Sequence, residues 1–460
     1  MEEGELMAIE SVNPATGERI KTFDAISLKD AKKEVKKAHK AFLKWRMTSF
    51  SERKQLMLKA AEILKANKEQ YAKLMTEEMG KPVREATSEV EKCAWACEFY
   101  AENAERFLKE EVVETDASRS YIRFDPLGVI LAVMPWNFPF WQVFRFAAPA
   151  LMAGNTGVLK HASNVPQCAL AIEDVFKKAG FPDDVFKALL IDSKTTLKLV
   201  AMKEIKAVSL TGSEKAGQQI AAKAGRHLKK CVLELGGSDP FIVLEDAELD
   251  SAARSAVIAR TLNTGQSCIA AKRFIVAEKV ADAFVQKFKE QLEALKVGDP
   301  SEPGNNLGPL AREDLRAALD GQVKRAVEKG ARIVTGGTVM DGKGCFYKPT
   351  ILSNVRPGNP VFEEETFGPV AAIISVKDEK EAVKLANQSN YGLGASIWTK
   401  DKEKAERLAK EIESGAVFVN GVVKSDPRLP FGGIKQSGYG RELSAYGIKE
   451  FVNIKTVWVK

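Results

Sequence analysis

Cys268 closes the segment NTGQSC (263–268) and stands just before IAAKRFIV, a run that reads as a buried strand. Its thiol therefore lies where a loop enters the core. Such a cysteine is a small buried hydrophobe, a disulfide partner, a metal ligand or a nucleophile. Its immediate neighbours carry no charge, and Lys272 and Arg273 follow along a strand, where they need not point at the sulfur. The six cysteines (Cys93, Cys97, Cys168, Cys231, Cys268 and Cys345) are sparse for 460 residues and do not resemble a disulfide framework. Metal binding is poorly served. The histidines are His39, His161 and His227, and the Cys93/Cys97 pair has helical spacing with no matching second pair. Packing inside a helix explains that pair better. No histidine is convincingly placed to serve a Ser-His-Asp or Cys-His arrangement.

Two further polar residues sit in apolar surroundings. Glu234, in VLELGG, ends an apolar strand and precedes two glycines, so it is exposed at a cleft or buried with a partner. Burial would raise its pKa towards that of a general base, whereas a loop or capping carboxylate is the plainer reading. Asn137, in PWNFPF, is an amide that must find partners or serve a ligand. It could meet an oxyanion or simply cap the turn before Pro139. At SLTGSEKAGQQI a strand runs into a helix, and Gly212 and Gly217 lie where free N–H groups suit a phosphate. The dinucleotide fingerprint G-x-G-x-x-G is found nowhere in such a context.

The elements that must position these groups follow from pattern. Residues 27–110 read as successive helices, with SLKD and SFSE as capping signals. SYIRFDPLGVILAV then gives two strand-like runs about the turn DPLG. From about 128 to 244, and again from about 245 to 420, apolar strands alternate with amphipathic helices. That alternation predicts parallel sheets covered by helices on both faces. The tail IKTVWVK reads as an edge strand that pairs with SYIRF or with another subunit.

The length suggests two or three domains, and 45% hydrophobic with 28% charged residues is ordinary for a soluble globular chain. A net charge of +7 is spread without any basic block, which speaks against nucleic acid as a partner. MEEGELMAIE lacks the apolar core of a secretion signal. The apolar run 128–146 is broken by two prolines, Asn137 and Arg145, so no membrane span is expected. The expected compartment is the cytoplasm.

Taken in order, PWNFPFWQVFRFAAPALMAGNTGVLK, LTGSEKAG, LELGGSDPFIV, NTGQSC, EEETFGPV and PFGGIKQSGYGRE resemble the NAD(P)-dependent aldehyde dehydrogenase superfamily over nearly the whole chain. VLKHASN and SDPRLPFGGIKQSG are most similar to its succinate-semialdehyde dehydrogenase branch. The resemblance implies an α/β fold with two Rossmann-like parallel-sheet domains and a small β oligomerisation element. Residues 1–118 and 133–235 would bind NAD(P), 236–440 would form the catalytic domain, and 119–132 with 441–460 the oligomerisation element. It implies a homodimer or homotetramer, and no metal.

The resemblance also implies roles. Cys268 is the nucleophile that forms a thioester, Asn137 the oxyanion donor and Glu234 the base for hydrolysis. Pro135, Trp136, Lys160, Gly212, Ser213, Gly217, Leu235, Glu365 and Phe367 line the cofactor site. Ser163 stands where family members typically carry a glutamate, which removes a clash with a 2′-phosphate and slightly favours NADP over NAD. Arg145, Ser267 and Ser425 are expected at the substrate's second carboxylate, with Trp141 and Phe431 lining the aldehyde funnel. Arg145 also reads as a structural ion pair. The expected substrate is succinate semialdehyde, the alternative another small aldehyde such as lactaldehyde or glutarate semialdehyde. Two positions depart from relatives: Leu262 replaces an arginine, and Ala270 replaces the second cysteine of a redox switch, so no switch is expected.

Overall fold

Serine caps open the first helices. The computed structural model describes residues 8–460, so most of the acidic opening segment falls outside it. Ser27 caps Leu28–Trp45 through Asp30, and Ser49 with Glu52 forms a complete capping box before Phe50–Ala66. Lys68–Met79 and the long Val83–Phe107 complete the expected helical run. Cys93 and Cys97 are fully buried on the last of these, as packing residues.

The first sheet has six strands in the order Gly438–Tyr439, Lys230–Glu234, Ile205–Thr211, Val129–Met134, Thr156–His161 and Phe186–Ala188. All pairings are parallel except that of Gly438–Tyr439. The chain starts at Val129–Met134, adds strands on one side, then crosses to Ile205–Thr211 on the other. The crevice at that reversal, beyond the strands' carboxyl ends, is where an open parallel sheet takes a ligand. Pro135 and Gly212 leave the two flanking strands there.

The second sheet runs Arg332–Thr335, Thr350–Ser353, Val370–Val376, Ala271–Ala277, Asp239–Val243, Gly394–Trp398 and Ala416–Val419, parallel but for its first strand. Its central strand, Ala271–Ala277, is buried at every position, and Cys268 lies on the loop that feeds it. The two halves are thus both α/β, as the alternation predicts.

A third, three-stranded sheet pairs Val452–Val459 with Arg119–Pro126 and the latter with Glu111–Val112. The C-terminal tail therefore meets SYIRF within the chain. Three expected boundaries move. Residues 129–132, expected with the oligomerisation element, are central in the first parallel sheet; the run VILAVM is buried on both faces, which an edge hairpin would not be. Gly438–Tyr439, expected with the catalytic half, joins the first sheet. Glu111–Val112, expected with the cofactor half, joins the third. Among the described residues no helix is long and apolar enough to cross a membrane.

Candidate active site

The loop before Cys268 is held in an unfavourable conformation. Asn263, Thr264 and Gly265 take successive left-handed values, φ 54°, 55° and 75°. For the asparagine and the β-branched threonine this costs on the order of 1 kcal/mol each. Surrounding groups hold the loop there. Asn263 N–H donates to Glu85 (2.7 Å) and its amide to the Asn137 carbonyl (2.7 Å). Gly308 N–H donates to the Thr264 hydroxyl (3.1 Å), and Arg260 donates to the Gly265 carbonyl (2.7 Å). A side chain at Gly265 would run into the Gly368–Pro369 backbone. The Lys272 ammonium then donates to the carbonyls of Ser267 (2.9 Å) and Cys268 (2.7 Å). Lys272 does reach under the nucleophile, whereas Arg273 turns away to bind the carbonyls of Ser238, Leu385 and Ala386.

The half-buried Cys268 thiol is pushed up to about 12 by burial, against the pull of Lys272 and Arg145. The resting sulfur is therefore protonated at neutral pH. With no ligand bound, inactivation by iodoacetamide should rise about tenfold per pH unit from about pH 7 to about pH 10. A plateau near pH 8, read from residual activity against time, would contradict a sulfur held in so dry a setting.

Asn137 is 4% exposed and lies beside the same loop. Its amide donates to the Gln266 carbonyl (3.1 Å), and its oxygen accepts from Gln142 (3.0 Å). That fixes the amide and leaves its second N–H hydrogen free. The backbone N–H of Cys268 also has no acceptor among the described residues. Two free donors thus belong to or adjoin the loop that carries the sulfur, the kind of donor pair an oxyanion needs.

Glu234 is buried with both carboxyl oxygens unpartnered. Burial, and then the like charge of Glu442, drive its pKa well above the usual range; Arg145 and Arg441 oppose this. A side chain at Gly432 would meet a Glu234 oxygen at 2.7 Å, so glycine there leaves the carboxyl room. Of the two readings open from sequence, the capping role has no hydrogen bond to support it. A desolvated carboxyl of raised basicity is suited to act as a general base.

Six of the expected residues, Trp141, Arg145, Ser267, Cys268, Ser425 and Phe431, line one cleft of about 490 Å³. Glu234 and Asn137 are not among its lining residues. The Ser267 hydroxyl is buried and unpartnered. Arg145 lines the cleft but is an ion pair: its Nε lies 2.5 Å from Glu442, off hydrogen-bond geometry, while Nη2 donates to Thr211 (3.2 Å). Its guanidinium also stacks over Phe431 at 4.6 Å. Sequence reasoning missed two groups here, Glu442 and Lys92, and named a third, Lys272, without assigning it to the site. Glu442 lies in the motif GYGRE and Lys272 in an apolar strand, where a charge is conspicuous. Lys92 also lines the cleft, and nothing about its place on an amphipathic helix marks it out.

The expected cofactor residues gather at the crevice of the first sheet. Ser213, exposed, caps the helix Glu214–Gly225, whose first N–H groups lack intrahelical acceptors. Gly217 packs so close to Leu235 that a Cβ would sit 2.6 Å from its methyl. This close packing keeps the helix start beside Gly212. Lys160 is largely buried, its pKa lowered by desolvation, with no hydrogen-bond acceptor or ion-pair partner among the described residues. An unanswered lysine at the carboxyl end of this sheet suits phosphate and ribose oxygens. Ser163 is exposed just beyond it. Trp136 and Phe367 meet edge to face at 5.8 Å. Glu365 accepts from Gly237 (3.0 Å) and lies 3.3 Å from Lys272, which ties this groove to the nucleophile loop.

The model of the aldehyde dehydrogenase family matches residues 1–457. A probable NADP(+) succinate-semialdehyde dehydrogenase of Synechocystis sp. is 55% identical, covering 98% of this chain and all of the relative. The NADP(+) succinate-semialdehyde dehydrogenase of Mycolicibacterium paratuberculosis is 50% identical over 98% of this chain and 97% of its own. Among solved structures, the succinic semialdehyde dehydrogenase of Streptococcus pyogenes, in complex with NADP+, superposes with a TM-score of 0.96 at 40% identity. That match covers 98% and 99% of the two chains.

Proposed function

This chain belongs to the aldehyde dehydrogenase family, and on that premise we propose that it oxidises succinate semialdehyde to succinate with NADP+, through a thioester on Cys268. The observation that carries the reading is a cleft that joins the Cys268 thiol with an anion-ready hydroxyl and ammonium set, next to a phosphate-suited groove. The names of the most similar relatives and of the solved neighbour support the substrate and cofactor.

The sulfur of Cys268, once deprotonated, adds to the aldehyde carbon, and the carbonyl oxygen becomes an oxyanion. Asn137 and the Cys268 N–H receive it at fixed positions, with no reorganisation at the moment of reaction. Bound in the groove, the nicotinamide supplies a hydride acceptor. Loss of hydride from the hemithioacetal leaves an acyl group on sulfur. Glu234 takes a proton from water, the hydroxide adds to that carbonyl, and the C–S bond breaks to return the thiolate and release the acid. Lys160 and Ser163 would bear on the adenosine ribose and its 2′-phosphate. The six free thiols suit the reducing cytoplasm. The strand Val452–Val459 lies at the edge of its sheet with Ile454 and Trp458 exposed, which favours a homodimer or homotetramer built across that edge.

The test is the purified protein with succinate semialdehyde, glutarate semialdehyde, lactaldehyde and butanal, each with NADP+ and NAD+, following nicotinamide reduction. The expected result is the highest kcat/KM with succinate semialdehyde and NADP+. Equal turnover of all four aldehydes would end the substrate assignment.

A further inference from the structure

The long helix Val83–Phe107 reaches both of the loops that the reaction needs. Glu85 and Glu89 stand one turn apart on it, in the i, i+4 relation that makes two side chains neighbours on one face. Glu89 accepts from the N–H groups of Phe140 and Trp141 (2.9 Å each) with one carboxylate oxygen, and the buried Lys81 pairs with the other. The Lys81 ammonium also lies over the Phe138 ring at 3.7 Å. Together they hold the segment that carries Asn137. Glu85 accepts from the Asn263 N–H (2.7 Å) and so holds the loop that carries Cys268. One helix face thus grips both catalytic segments.

Asn263 passes this hold on. Its amide donates to the carbonyls of Asn137 (2.7 Å) and Gln266 (3.1 Å), and the Asn137 amide donates to the same Gln266 carbonyl (3.1 Å). The two segments are therefore joined at Asn263, whose backbone sits in the left-handed region (φ 54°), as does that of Thr264 (φ 55°). Residues other than glycine stay there only when their surroundings keep them there. The backbone N–H that Glu85 takes up is that of the first residue in this turn. Glu85 lines the cleft, where a carboxylate offers an anionic aldehyde no attraction. Its use there is to set geometry.

Resting on the reading of Cys268 as nucleophile and Asn137 as oxyanion donor, we propose that Glu85 is a positioning residue for the reaction, which with Glu89 fixes the nucleophile loop and the oxyanion-donor segment to one helix at a constant separation. The sulfur and the amide act on the two atoms of one carbonyl group, so their separation has to match it closely. A misplacement of about 1 Å is enough to cost about 100-fold in rate. Cofactor binding draws on other elements, Lys160 and the Gly212–Gly217 turn, and does not depend on this hold.

The experiment is single-turnover reduction of NADP+ at saturating succinate semialdehyde, with enzyme in excess over NADP+, so that the rate constant reports only on molecules that bind cofactor. In Glu85→Ala this rate constant should fall by about 10- to 100-fold, while NADP+ affinity and binding stoichiometry stay within about twofold of wild type. Glu85→Gln, whose amide oxygen can accept the same N–H, should recover most of the rate. Glu85→Asp, which withdraws the acceptor by one methylene, should lose a smaller factor, and it decides the matter if Glu85→Ala does not fold. A role in folding alone would lower the NADP+ bound per chain and leave the rate constant at its wild-type value. That result overturns the proposal, whether read in Glu85→Ala or, in its stead, in Glu85→Asp. Glu85→Gln as slow as Glu85→Ala would place the effect in the charge and not in the hold, and overturns it equally. Asn137→Ala, run in parallel, checks the reading beneath: an undiminished rate constant there removes the oxyanion assignment whatever the Glu85 variants do, and so is told apart from the other outcomes.

Discussion

Replacing Cys268 by alanine should lower kcat by about 10⁴-fold or more while leaving NADP+ binding within about twofold of wild type. The size of the loss follows from the chemistry. An aldehyde carbon cannot part with hydride until something has added to it, and the sulfur is the adduct-forming group in the cleft. Without it, only the small fraction of aldehyde already hydrated in water can react. Binding survives because the groove is built from other elements: Lys160, the Gly212–Gly217 turn and Glu365. Losing one half-buried sulfur leaves the Lys272 hydrogen bonds to the loop carbonyls in place, so the melting temperature should hardly change. Stopped-flow and steady-state assays check the rate, and nucleotide titration checks the binding. Retention of a tenth of wild-type kcat would be incompatible with covalent catalysis at this position.

Glu234→Gln should separate the two halves of the reaction. The first turnover should still yield about one reduced nicotinamide per site, and the steady-state rate afterwards should fall by about 10²- to 10⁴-fold. Glutamine keeps the shape and remains within the room Gly432 leaves, but it cannot take a proton from water. It also removes a buried acid crowded by Glu442, so the variant should be no less stable than wild type. A burst followed by a slow phase in absorbance is the expected trace. Loss of the burst itself would mean that Glu234 acts earlier, on the thiol.

Much of this was readable in advance because it rests on local rules. Ser49 and Glu52 announce a capping box by type and spacing alone. The apolar run after Cys268 signals a buried strand, and a polar, glycine-containing turn before it signals a chain that must bend at the core's edge. What stayed hidden depends on residues far apart in the chain. Nothing local to Arg145 shows that Glu442 folds against it, and Lys92 looks like any charged position on an amphipathic helix. Asn263 and Thr264 adopt left-handed conformations against their own preferences, because Glu85, Asn137 and Gly308 hold them there. The run VILAVM reads as a hairpin partner by its turn, yet pairs in parallel with two distant strands. Short apolar runs leave that choice to tertiary packing.

The covalent intermediate itself is open to direct observation. Glu234→Gln mixed with succinate semialdehyde and NADP+, quenched in acid within the burst, should gain the mass of one succinyl group. Peptide mapping should place that group on Cys268, and hydroxylamine should release it as a thioester requires. An unmodified Cys268 at the end of a full burst, or the acyl group on another residue, would contradict the account.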